Sequence, residues 1–190
     1  MFILYALVIG LVVGYLVGGR PSGLATIQFR WGWVALFGLA VQVALFSGPV
    51  TERIGAAGPP LYVASTAFVF VAVLRNIRIP GLVLVALGAA SNLAAIVANG
   101  GYMPASPAAL AALGGGVAPG YSNSTVVTSP ALEPLTDIFV LPSWLPFANV
   151  FSVGDVLIAV GVAVTIVVAM RAWRSVPPAE EPSSSSDTGG

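Results

Sequence analysis

The stretch PFANVFSVGDVLIAVGVAVTIVVAM, residues 146–170, decides how the rest of the chain is read. From Val156 to Met170 it carries no charge, and Thr165 is its one polar side chain. A run of that kind suits hydrocarbon, and a membrane helix needs about 20 mostly apolar residues. Asp155 stands at its mouth, where an acid is least expected. The residues just before it supply a local reason. Ser152-Val-Gly-Asp155 is the S-x-x-[DE] pattern that caps a helix ahead of an apolar run. In that geometry the Ser152 hydroxyl accepts from the Asp155 amide, and the Asp155 carboxylate accepts from the Ser152 amide. The acid also sits at the positive end of the helix dipole.

Composition extends the reading to the whole chain. Of 190 residues, 57% are hydrophobic and 7% are charged, with a mean hydropathy of +0.97. Soluble domains carry roughly 25% charged residues, so a polytopic membrane protein is expected. The formal net charge is zero, which gives no basis for nucleic-acid binding. Cys, His and Lys do not occur. Disulfides, thiolate or imidazole metal sites, Cys or Ser–His nucleophiles and Schiff-base chemistry are thereby excluded. No cofactor is implied. An Ala/Val/Gly-rich chain without Lys has the composition of a protein from a GC-rich bacterium.

Five stretches serve as spans: 2–18, 32–50, 59–74, 81–98 and 152–170. The third is short and needs its flanks. The first resembles a signal peptide in position, but its arginine follows it rather than precedes it, so it is read as a retained span. Arg20, Arg30, Arg75, Arg78, Arg171 and Arg174 fall on one side of this threading and Arg53 on the other. The positive-inside rule then puts the N-terminus outside and the C-terminus in the cytoplasm, in a bacterial inner membrane. Trp31, Trp33 and Trp173 lie beside the arginines, as interfacial aromatics should. The expected architecture is an all-α bundle: four spans over 1–98, an outer loop over 99–151, a fifth span over 152–174 and a disordered tail over 175–190.

Packing signals lie within the spans. Gly10, Gly14 and Gly18 make two overlapping G-x-x-x-G steps, a helix–helix contact face for another span or for a second copy of the chain. Gly88, Asn92 and Asn99 share a face of the fourth span, and Gly38 and Gln42 are one turn apart in the second. Gln42, Asn92, Ser65 and Thr66 are expected to turn inward and bond one another or open carbonyls. With no charge in mid-span, a proton relay or pump has no support, and a small transporter subunit, the third reading, would need oligomerisation.

The outer loop is too long for a plain connection. Asn99-Gly-Gly ends the fourth span. Ser106 and Pro107 open a short helix that Gly114 closes. Residues 132–151 are apolar again and are expected to lie at the bilayer surface as a short helix and a proline-bent segment. Glu133 and Asp137, four apart, could share a helix face there.

Two resemblances add to this. FANVFSVGDVLIAVG, residues 147–161, is similar to the last span of lipoprotein signal peptidases in Asn149, Asp155, Ile158 and Gly161. It implies a membrane-embedded aspartate hydrolase with Asp155 and Asp137 as its paired carboxylates, one neutral and one charged. The Asp-Arg motif of those peptidases is missing, and one loop replaces their intervening spans. GGRPSGLA at 18–25, NGGYMPAS at 99–106, LTDIFVLP at 135–142 and NVFSVGDVLIAVG at 149–161 resemble an uncharacterised family of small bacterial multispan proteins. That resemblance implies fold and location and transfers no activity. The expected role is a non-enzymatic component that binds a partner protein or lipid through its outer loop, with the lipid bilayer and a membrane protein or a second copy of the chain as the expected partners.

Overall fold

The computed structural model describes residues 3–113, 124–127 and 129–172. Gly114, Trp173, Arg174 and the tail 175–190 lie outside the described residues. The chain is mostly helical, with α1 Ile3–Leu16, α2 Gly32–Leu45, α3 Gly48–Ile54, α4 Gly58–Arg75, α5 Leu82–Ala98, α6 Pro107–Ala112 and α7 Val153–Ala172. Four short strands join them: β1 Met103–Pro104, β2 Ser124–Thr125, β3 Phe139–Leu141 and β4 Asn149–Phe151. Two helical stretches, Gly55–Arg75 and Val153–Ala172, are long and apolar enough to cross a membrane. Helices α1, α2 and α5 are apolar but shorter.

Two of the expected spans stop early for visible reasons. Gly18, the third member of the expected contact face, lies past the end of α1 with φ +77° and terminates the helix rather than packing within it. The second stretch breaks at Phe46–Ser47, because Pro49 cannot donate to the preceding turn and clashes with it. A separate helix, α3, starts there. In contrast, the short third stretch becomes the 18-residue α4, with Pro59 and Pro60 in its first turn, where missing N–H groups cost nothing.

The principal helices stand in a row, α1–α7–α5–α4–α2. Contacts give their directions. Gly10 meets Ala163 and Ile166 while Gly14 meets Met170, so α1 runs parallel to α7. Gly88 meets Gly154 while Gly81 meets Gly161, so α5 is antiparallel to α7. Gly38 meets Val69 while Phe46 packs edge-on against Tyr62, so α2 is antiparallel to α4.

This order gathers the arginines. The Arg20 amide donates to the Met170 carbonyl (2.8 Å), Arg30 pairs with Asn76, and Arg75 lies against Trp31. Arg78 and Arg171 belong to the same end. At the opposite end, the segment between α5 and α7 folds into a cap. There β1 pairs in parallel with β2, and β3 pairs antiparallel with β4. Helix α6 packs on them through Ala109 against Ala105 and Val150. Met103 joins the cap to Leu45, Tyr62, Ala95 and Ile96 of the helices.

The cap corrects the all-α expectation. Residues 139–151 form a hairpin rather than an interfacial helix, and Glu133–Leu135 is a single 3-10 turn. Thr136 is extended and Asp137 bridges to Ala105, so Glu133 and Asp137 share no helix face.

Candidate functional site

The site is a polar ring where α5, α7 and the end of β4 meet. Ser152 lies one residue after β4 and is fully buried. Its hydroxyl accepts from the Asp155 amide at 3.1 Å, and its amide donates to Asp155 Oδ2 at 3.0 Å. Those two bonds form a capping box. Asn92 of α5 closes the ring: Nδ2 donates to Asp155 Oδ1 at 2.9 Å, and Oδ1 accepts from the Ser152 hydroxyl at 2.8 Å. Each of these four contacts joins a donor to an acceptor, and both carboxylate oxygens of Asp155 are used.

Backbone contact lets the ring close. A Cβ on Gly88 would stand 2.4 Å from the Gly154 carbonyl oxygen, and one on Gly154 would stand 1.9 Å from Asn92 Oδ1. Two turns away, a Cβ on Gly81 would lie 2.3 Å from the Gly161 carbonyl oxygen, and one on Gly161 would lie 2.6 Å from that of Gly81. The seam therefore repeats every seven residues in both helices, the spacing of left-handed helix pairs. Thr165 Oγ1 lies 2.8 and 2.9 Å from the Pro80 and Gly161 carbonyls at the far end, and its one hydroxyl hydrogen is shared between them.

The other polar residues expected to matter are spread out. Gln42 donates to Thr66 at 3.2 Å across α2 and α4. Among the described residues, Ser65 bonds within its own helix, at the Tyr62 carbonyl (2.9 Å). Asn99 caps α5 by donating to Ala95 and holds both backbone groups of Ala131, each bond 2.8–2.9 Å. Asp137 is buried in the cap; its amide donates to Pro104 and its carbonyl accepts from Ser106. The hydrogen-bond partners of Asp155 are Asn92 and Ser152, and Asp137 is not among them.

Asn76 is a residue that sequence reasoning missed. It caps α4 as Asn99 caps α5. Nδ2 donates to Ala72 and Arg30 carbonyls, and Oδ1 accepts from the Arg30 amide, all at 2.7 Å. Its position just past the last apolar turn of a helix was the available signal. Ser91 was missed as well: its hydroxyl is buried and has no hydrogen-bond partner among the described residues.

The fold and site define a class: a row of apolar helices, capped at one end, with a small satisfied polar ring at the helix–cap junction. The chain belongs to a family of unknown function, DUF5317, whose model matches residues 26–167. The match covers α2 to most of α7 and so includes the whole ring. No curated protein and no solved structure matches the chain.

Proposed function

We propose that this is a five-span, non-enzymatic component of a bacterial inner membrane. Its cap would lie on the outer surface and meet a partner protein or the lipid there. One observation carries the reading: the helices are apolar on the outside. Val8, Val12 and Leu16 of α1, Leu36 and Val43 of α2, Phe68 of α4, Leu87 of α5 and Val160 of α7 are all exposed. Most polar side chains of the helices are instead turned inward and paired, the Ser91 hydroxyl excepted. A water-soluble domain shows the reverse pattern, and only lipid or protein can cover so much apolar surface.

The alternation of helix directions and the gathering of five arginines at one end support an odd number of crossings with that end in the cytoplasm. Helices α1, α2 and α5 are short for a core about 30 Å thick, and residues flanking them would complete the crossing. In the cap, Trp144 is 79% exposed and Phe147 60% exposed in the β3–β4 connection. The Tyr5 hydroxyl ties Pro146 of that connection to the start of α1. Aromatics at that level would rest in the outer interface or against a partner.

A second reading, an aspartate hydrolase, would place a water between Asp137 and Asp155. Asp155 instead completes a capping box with Ser152 and accepts from Asn92, and Asp137 is not among its hydrogen-bond partners, which favours the structural role. A small transporter subunit has no observation in its favour. The test is a reporter active only in the cytoplasm. It should work when fused after Arg174 and fail within 114–125; activity at both points, or the opposite pattern, ends the threading. Asp137→Asn and Asp155→Asn should both keep a normal cellular phenotype. Loss of phenotype in both with unchanged melting would restore the hydrolase.

A further inference from the structure

At the arginine end, the segment before α2 and the turn after α4 enclose an open cleft of about 730 Å³. Arg30, Arg75 and Arg78 line it, and no acidic residue does. Asn76 holds its two walls together by pairing with the Arg30 backbone at 2.7 Å. Three arginines border one space without an acid among its lining residues, and planar guanidinium forks suit phosphate oxygens.

Beside this cleft lies a second cavity of about 460 Å³, lined by Trp31, Trp33, Val34, Phe37, Phe68 and Val71. The two share Trp31 and Val71, so a cationic cleft adjoins an apolar trough along α2 and α4. Trp31 stands at the junction. Its ring centroid is 5.8 Å from Arg75 Cζ, a cation–π distance. Its backbone is left-handed, φ 59° and ψ 29°, which a bulky residue adopts only where its surroundings demand it.

The geometry points to a binding site for an anionic phospholipid, with its phosphate among Arg30, Arg75 and Arg78 and one acyl chain in the trough beside Phe37 and Phe68. A free anion would use the cleft and leave the trough empty. A zwitterionic lipid would fill the trough but carry its own cation to the arginines. The inference rests on the proposed membrane-spanning reading, with this end in the cytoplasm.

The test uses the full chain in nanodiscs of phosphatidylcholine, with or without phosphatidylglycerol. Native mass spectrometry reads the retained lipid. Wild type should keep one phosphatidylglycerol in preference to phosphatidylcholine by about tenfold or more, worth about 1.4 kcal/mol. Arg75→Gln with Arg78→Gln should abolish the preference. Arg171→Gln, at the same end but lining neither cavity, should keep it. Equal melting of wild type and the double variant in pure phosphatidylcholine shows that folding is intact; should the double variant melt lower, Arg78→Gln alone is the variant read. Equal retention of both lipids, an unchanged preference in the arginine variants, or stabilisation by inorganic phosphate as large as that by phosphatidylglycerol would overturn the inference. Membrane insertion is read separately. A chain that resists alkaline carbonate extraction but shows no anionic preference overturns only the lipid site, whereas a chain released by carbonate overturns the spanning reading.

Discussion

Along α5 and α7 the two backbones touch at reciprocal glycines, and a closed polar ring seals one end. Along α2 and α4 there is a close approach at Gly38, and beyond it side chains meet: Gln42 with Thr66, and Phe46 with Tyr62 at 5.1 Å between ring centroids. The first seam has almost no slack, because backbone cannot move aside. The second can adjust by rotating side chains. In the proposed bilayer setting, with little hydrophobic drive between helices, closeness of fit sets the strength of a seam.

The contrast between the seams is challenged most directly at Gly88. Gly88→Val would press a branched side chain onto the Gly154 carbonyl and force α5 off α7. A loss of about 3 kcal/mol, the upper range for overpacking, is expected as lower melting in detergent. Melting within about a degree of wild type would show that the two backbones have room to part.

The ring comes next. Asp155→Leu deletes both acceptors and strands the Ser152 amide and Asn92 Nδ2, at a cost of about 1–3 kcal/mol for each buried group left unpaired. Asp155→Asn keeps one acceptor for Ser152 but presents a donor to the Asn92 donor. Asn92 must then flip, which takes away the acceptor of the Ser152 hydroxyl hydrogen, for about 1 kcal/mol. Equal melting of the two variants would mean that the ring contributes nothing beyond filling space.

Gln42→Leu removes one neutral bond of the second seam and leaves an apolar side chain in apolar surroundings. The change should stay below about 1 kcal/mol. A larger loss than in Asp155→Asn would reverse the ranking of the seams.

The smallest effect is expected at Gly14→Ala. The new Cβ would meet the Met170 sulfur at 2.5 Å, and a thioether side chain can swing away. The cost should stay under about 1 kcal/mol despite the conspicuous G-x-x-x-G pattern. A collapse at this position would show that Met170, almost fully buried, has nowhere to go.

Local patterns are legible in the chain itself. Gly10 and Gly14 sit on a contact face, and the Ser152–Asp155 box follows from three-residue spacing, because helix geometry makes such pairs neighbours whatever surrounds them. The β3–β4 hairpin is not legible in that way. Residues 139–151 are apolar almost throughout and interrupted by Pro142 and Pro146, so neither a period of two nor one of 3.6 stands out. A strand also needs a partner, and the sequence does not name it.

Composition alone determined that the helices expose apolar surface, and the count of apolar stretches, with the arginines in agreement, determined which segments share an end. Both are sums over many residues, and no single contact can upset them. Tertiary structure alone decided that Asn92 meets Ser152 and Asp155 across some 60 positions of chain, and that Gly81 and Gly88 pair with Gly161 and Gly154. Those partnerships depend on helix order, tilt and rotation, which follow from the whole packing rather than from any local run. The physical reason is range: capping and periodicity act over one or two turns, whereas a closed ring requires distant segments to arrive within hydrogen-bond distance together.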